Sequence, residues 1–185
     1  MEENKKKKIS TKDMVQIAMF TAMVAVLSQI AIPMPSGVPV TLQTLAVALC
    51  GYVLGCKKGA VSLLVYALLG AVGAPVFANF KGGLGAIAGP TGGFIWGFIF
   101  MAFLCGLGIE SKHKWLAVVL GIAGVLVCHA CGAAQFAIIK GNGFWSSALL
   151  VSVPYLVKDF VSVIIALGAA ALIRSRIKVT AAANQ

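Results

Sequence analysis

The sequence predicts an all-α integral membrane protein with six transmembrane helices, both termini cytoplasmic, and a glycine-rich extracellular loop between helices three and four. Three observations carry this. The chain is 60% hydrophobic and only 11% charged, with a mean hydropathy of +0.98, whereas a soluble domain is about half apolar. Apolar runs long enough to cross a bilayer, which takes roughly 20 residues per helix, recur along its 185 residues. Basic residues punctuate those runs on alternate sides.

Taken in order, spans are expected at 14–32, 39–55, 59–78, 90–109, 115–139 and 145–173. Residues 1–13 then form a basic cytoplasmic tail, 14–178 one six-helix substrate-binding domain, and 179–185 a short cytoplasmic tail. Such runs satisfy their backbone hydrogen bonds in lipid only as helices, so strands are not expected. The first run follows a lysine cluster, as in a secretory signal peptide, but it is long for one and five more follow, so it reads as an uncleaved span. Gln43 in the second span and Gln135 in the fifth need partners at membrane depth. Between the third and fourth spans lies GAVGAPVFANFKGGLGAIAGPTGG, residues 70–93. Its glycines permit positive φ and close backbone approach, so it can fold over a ligand and offer main-chain amides. The sixth run, Trp145 to Ile173, is 29 residues long, too many for one crossing. Pro154 divides it into a short outer helix ending near Ser152 and a span starting near Tyr155.

Lysine and arginine accumulate in short cytoplasmic loops. With the N-terminus inside, Lys5, Lys6, Lys7, Lys8, Lys12, Lys57, Lys58, Lys112, Lys114, Arg174, Arg176 and Lys178 all fall on the inner side. Only Lys81, Lys140 and Lys158 fall outside. Topology therefore accounts for the net charge of +10, whose residues sit at helix ends rather than on one folded face, and nucleic acid is not an expected partner. Asp159 is the only acidic residue inside an apolar stretch. It lies about one turn into the last span, near the positive helix end, where an ionised carboxylate is least costly, and an intramembrane ionisable group is a functional hypothesis by default. Asp159, Lys158, Asn79, Lys81 and the glycine-rich loop thus share the outer side and make a site open to the outside. The bland readings are lysines meeting lipid phosphates and an Asp159 that only pairs with a lysine.

Signatures for chemistry are absent from the sequence. It has no G-x-x-x-x-G-K-[ST] phosphate loop, no H-E-x-x-H and no G-x-S-x-G, which leaves an intramembrane enzyme little to work with. A self-sufficient small secondary carrier remains a rival, although no clear inverted pair of interrupted helices is visible. Cys128, His129 and Cys131 form a C-H-x-C cluster, but Cys50, Cys56 and Cys105 supply no second close pair, so no metal site is expected and the cysteines read as structural.

The stretch from Pro39 to Phe98, PVTLQTLAVALCGYVLGCKKGAVSLLVYALLGAVGAPVFANFKGGLGAIAGPTGGFIWGF, resembles the BioY family of biotin transporters, the substrate-binding S components of energy-coupling factor (ECF) transporters. The likeness continues through CHACGAAQFA, Cys128 to Ala137, and VPYLVKDFVSVIIA, Val153 to Ala166. It implies a bundle in a prokaryotic plasma membrane that takes biotin from outside as transported substrate, uses no cofactor, and docks on a transmembrane scaffold (T component) driven by two cytosolic ATPases. Asp159 would accept from a ureido N–H and Asn79 would complete the ring edge, while Phe77 and Tyr155, with Phe80, Tyr66 or Trp145, would line the site. Gln43, Lys81 and Lys158 are further ligand candidates. Family members commonly carry a lysine three residues after the aspartate. Here that place holds Ser162, and Lys158 points about 100° away from Asp159 on a helix, so it is no simple replacement. In the first span Ala18 and Ala22, with Ala25 on nearly the same face, resemble the alanine motif that docks the scaffold; small residues let helices approach closely. The other reading of these alanines is packing inside the bundle.

Overall fold

Ser10 starts the first helix. Its hydroxyl accepts from the Asp13 N–H at 3.1 Å and the Asp13 carboxylate accepts from the Ser10 N–H at 3.4 Å, a reciprocal cap. In the computed structural model, which describes residues 10–183, this helix, α1, covers Thr11–Ser28. It begins three residues before the expected 14 because of that cap. Lys5, Lys6, Lys7 and Lys8, the rest of the N-terminal tail, residues 184–185 and the side chain of Lys178 lie outside what is described.

After α1 the chain forms a two-stranded antiparallel ladder, β1 (Ala31–Ile32) with β2 (Val40–Thr41), in register Ala31↔Thr41. This corrects the expectation that strands are excluded. The ladder is two residues per strand and sits in a connection, where neighbouring protein groups satisfy irregular backbone. Helices α2 (Gln43–Leu54) and α3 (Cys56–Ala71) follow, hinged at Gly55, which takes φ 85°. With 12 and 16 residues they are shorter than the expected spans 39–55 and 59–78. A 3-10 turn, Ala78–Phe80, and a five-residue helix α4, Leu84–Ala88, shape the glycine-rich segment. Then come α5 (Gly92–Glu110), α6 (Lys114–Lys140), α7 (Phe144–Val151) and α8 (Val153–Ala183).

The break between α7 and α8 falls at Ser152, as the sequence predicts. Pro154 sits in the first turn of α8, where its missing N–H costs nothing. At the other end of α8 the helix runs on to Ala183 rather than stopping near 173.

Among the described residues four helices are long and apolar enough to cross a membrane: α1, α5, α6 and the Val153–Arg176 part of α8. Their outward surfaces carry large apolar side chains such as Met19, Phe100, Leu126 and Leu172, which lipid rather than water must solvate. Inside, α5 and α6 make the most extensive helix pairing. Gly97 allows it, since a Cβ there would stand 2.7 Å from the Cys128 Cα, and a Cβ on Gly93 would collide with the Cys131 carbonyl. The core between α2, α3, α5, α6 and α8 is closed by Tyr52, Leu63, Met101, Val125 and Val163, all fully buried.

One end of the bundle is cross-tied by charge. Arg174 donates to the carbonyls of Tyr52 and Val53 at 2.9 and 3.4 Å, capping the C-terminal turn of α2, and Lys58 meets Asp13 at 2.9 Å between α3 and α1. The other end carries the connections that build the cavity.

Candidate ligand-binding cavity

The segment from Gly70 to Gly83 folds back on itself to form one wall. Phe77 N–H donates to the Lys81 carbonyl at 3.0 Å and Gly83 N–H to the Gly70 carbonyl at 2.7 Å. Gly70 has no side chain because the Phe77 ring lies where its Cβ would be. Between Phe77 and Lys81 the backbone turns through two left-handed residues, Asn79 (φ 59°) and Phe80 (φ 56°). Asparagine tolerates this region, whereas a bulky phenylalanine there is strained. Gln29 holds the turn, its Oε1 accepting from Phe80 N–H at 2.8 Å.

Behind the wall, three side chains converge on one carbonyl. The Ser28 hydroxyl, the Gln29 amide and the Tyr66 hydroxyl reach the Val76 oxygen at 2.6, 3.2 and 3.0 Å. Tyr66 also accepts from Gln43 Nε2 at 2.8 Å, so Gln43 has its partner within the fold. Tyr66→Phe is expected to lower thermal stability by about 1–3 kcal/mol, chiefly the cost of leaving the buried Gln43 amide without its acceptor, since Ser28 and Gln29 still donate to the Val76 carbonyl. Unfolding of the detergent-solubilised variant against the parent protein measures this. An unchanged midpoint would mean that the hydroxyl holds nothing in place. Gln135 is satisfied likewise, donating to the Ile87 and Gly89 carbonyls at 2.7 and 2.8 Å and so anchoring the end of α4 on α6.

The opposite wall is α8 with the 29–42 connection tied to it. Tyr155 donates to the Val38 carbonyl at 2.6 Å and shares a 2.8 Å hydrogen bond with Ser36. Lys158 donates to the Thr41 carbonyl at 2.9 Å. Together these walls enclose a cavity of about 80 Å³, several times the roughly 10–15 Å³ that one water occupies. Phe94, Ile95, Phe98, Met101 and Val125 give it an apolar lining.

Its polar floor is a trio of ionisable side chains, two of them buried and one half-buried. Asp159 and His129 are 4% and 7% exposed, with His129 Nε2 2.9 Å from Asp159 Oδ2. Lys158 pairs with the other carboxylate oxygen, Asp159 Oδ1. The lysine stem thus spans the 100° that separates neighbours on a helix, and a cation stands beside the aspartate although position 162 is serine. A carboxylate offers about four acceptor sites, so Asp159 retains capacity for a ligand N–H.

The cavity brings together most of the sequence candidates. Asp159, Lys158, Gln43, Phe77, Tyr155, Asn79 and Lys81 all line it, with Asn79 and Lys81 exposed at the rim and Phe77 and Tyr155 buried. Ser162 does not: its hydroxyl donates back to the Lys158 carbonyl at 2.9 Å. Nor do Phe80 and Trp145, which are 71% and 79% exposed, while Tyr66 stands behind the lining through Gln43. On α1, Ala18 and Ala22 are exposed, whereas Ala25 packs against the core.

His129 is the residue that sequence reasoning misses. It enters there only as the middle of the C-H-x-C cluster, but its ring turns to Asp159, and among the described residues no three His, Cys, Asp or Glu side chains gather as a metal site. The available signal is the one applied to Asp159: an ionisable side chain in mid-span.

Comparison with known proteins extends over the whole fold. A model of the BioY family matches residues 3–179. The chain is 44% identical to the biotin transporter BioY of Thermotoga maritima over 65% of its own length and 72% of that protein's. It is 38% identical to a probable biotin transporter BioY of Pyrococcus horikoshii over 83% and 90%, and 35% identical to the biotin transporter BioY of Rhodobacter capsulatus over 80% and 86%. Among solved structures, the S-component for biotin from an ECF-type ABC transporter superposes with a TM-score of 0.78 at 24% identity, covering 95% of both chains.

Proposed function

Because the chain belongs to the BioY family, we propose that it takes up biotin as the membrane-embedded substrate-binding subunit of an ECF-type transporter. The observation that carries the ligand assignment is the buried Asp159–His129 pair with Lys158 beside it, under an apolar lining. Biotin presents two ureido N–H donors and one strong acceptor, a thioether ring that apolar walls suit, and a valerate carboxylate. The trio supplies acceptors and a cation at one end of the cavity, and the rim supplies Asn79 and Lys81. An analogue lacking the ureido group would leave buried polar groups unpaired, which is how such a pocket discriminates.

In this reading the two shorter helices α2 and α3 complete a six-span bundle with both termini cytoplasmic. The bundle end tied by Arg174, Lys58 and Asp13 faces the cytosol, in keeping with the lysine and arginine bias, and the Gly70–Gly93 segment faces outside. The protein is a transporter subunit rather than an enzyme. Its partners are a T component, which meets α1, and two cytosolic ATPases.

Thermal unfolding of the purified protein with biotin, desthiobiotin and thiamine tests the assignment. A ligand that binds only the folded state stabilises it by about 2.7 kcal/mol at a hundredfold excess over its dissociation constant. A saturable shift with biotin and none with thiamine is expected. Folded protein that ignores biotin while responding to another vitamin would overturn the substrate.

A further inference from the structure

Resting on the biotin reading, one buried atom in the trio points to a second ligand contact. His129 lies more than nine-tenths buried and lines the cavity, and its two ring nitrogens are treated differently. Nε2 is bonded to Asp159 at 2.9 Å, while Nδ1 is buried and, among the described residues, has no hydrogen-bond partner. Buried polar atoms are nearly always satisfied, so this nitrogen calls for a group that the protein itself does not provide. The Phe94 ring packs edge-on to the imidazole at 5.7 Å, and the Ser152 hydroxyl donates to the His129 backbone carbonyl at 3.4 Å, but neither serves Nδ1.

The charges around the ring set which chemistry Nδ1 offers. Lys158 already balances the Asp159 carboxylate, so a neutral imidazole leaves the trio without net charge, whereas a third charge would stand unpaired. A neutral ring that donates from Nε2 to the carboxylate presents Nδ1 as a lone-pair acceptor. We propose that His129 Nδ1 accepts an N–H of the bound cyclic urea, which makes His129 a specificity-determining contact. The two N–H donors of the cyclic urea, which point apart on either side of its carbonyl, then go one to Asp159 and one to His129.

Two substitutions separate contact from scaffolding, because glutamine places its amide near the Nε2 position and asparagine near Nδ1. His129→Gln keeps a donor for Asp159 and removes the Nδ1 acceptor; His129→Asn does the reverse. Biotin titrations of the purified wild type and both variants, each with its ligand-free unfolding midpoint, are the experiment. The expected result is about a tenfold loss of affinity in H129Q with the midpoint near that of the parent, and a smaller loss in H129N. Full affinity in H129Q, or recovery by glutamine but not asparagine, assigns the ring to positioning Asp159 and overturns the contact. Should both variants fail to fold, biotin methylated singly at each ureido nitrogen is titrated into wild-type protein. Undiminished binding of either analogue overturns the proposal, and at least a tenfold loss for both supports it. Wild-type protein that does not bind biotin at all overturns the ligand assignment as well, an outcome distinct from one in which only the H129Q result fails.

Discussion

Asp159→Asn is expected to weaken biotin binding by more than about 1.5 kcal/mol, over tenfold, while the bundle still folds. Asparagine keeps the size of the side chain and one oxygen that accepts from His129 Nε2. What it removes is the charge facing Lys158 and the second acceptor edge. Lys158 then retains only the Thr41 carbonyl, and a ligand N–H meets a neutral amide in place of a carboxylate. Because the lysine is 30% exposed at the side chain, its lost partner weighs less on folding than on binding. Calorimetric titration of both proteins, with ligand-free unfolding as the control for integrity, gives the answer. Wild-type affinity in the variant would remove Asp159 from the pocket.

Ala18→Trp should abolish co-purification with the T component and leave biotin binding unchanged. Ala18 and Ala22 are exposed on one face of α1, while Ile17, Thr21, Val24 and Ser28 face inward. Two small residues four apart make a shallow groove into which a partner helix can settle, and an indole fills it. The inward face keeps its own ties, Thr21 to the Ser62 carbonyl at 3.0 Å and Ser28 to Val76, so the cavity wall is untouched. Tandem affinity purification from cells expressing the whole transporter reads the first effect and a binding titration the second. Lost biotin binding with docking intact would place Ala18 inside the bundle's own packing.

The sequence makes some of this architecture readable because certain residues are costly where they stand. A carboxylate in an apolar run, Asp159, and a proline in an overlong one, Pro154, announce themselves; the α7 to α8 break at Ser152 follows from the second. Long runs likewise give α5 and α6 to within about two residues. The ladder of Ala31–Ile32 with Val40–Thr41 is not readable, since four apolar or small residues continue the hydrophobic runs on either side and only the tertiary register pairs them. The same holds for α4, one helical turn between Gly83 and Gly89 whose end is fixed by Gln135 from far along the chain. His129 stays hidden because its partner is 30 residues away and its cysteine neighbours suggest other chemistry. The reach of Lys158 to Asp159 is hidden by helix geometry, which describes where backbones point but not how far a four-carbon stem bends.

The 12 residues of α2 rise only about 18 Å, well short of a hydrocarbon layer of about 30 Å. In the transporter reading, the ladder strand that precedes α2 takes up that deficit, with Thr41 at its end lining the cavity, so the ligand is held below the plane of the lipid headgroups. Hydrophobic mismatch then becomes a property of the site itself. A thicker bilayer sinks the mouth further from water or dimples around it, at a fraction of a kcal/mol per Å. Ligand capture is therefore expected to vary with acyl-chain length, and the lipid becomes a silent third partner in affinity.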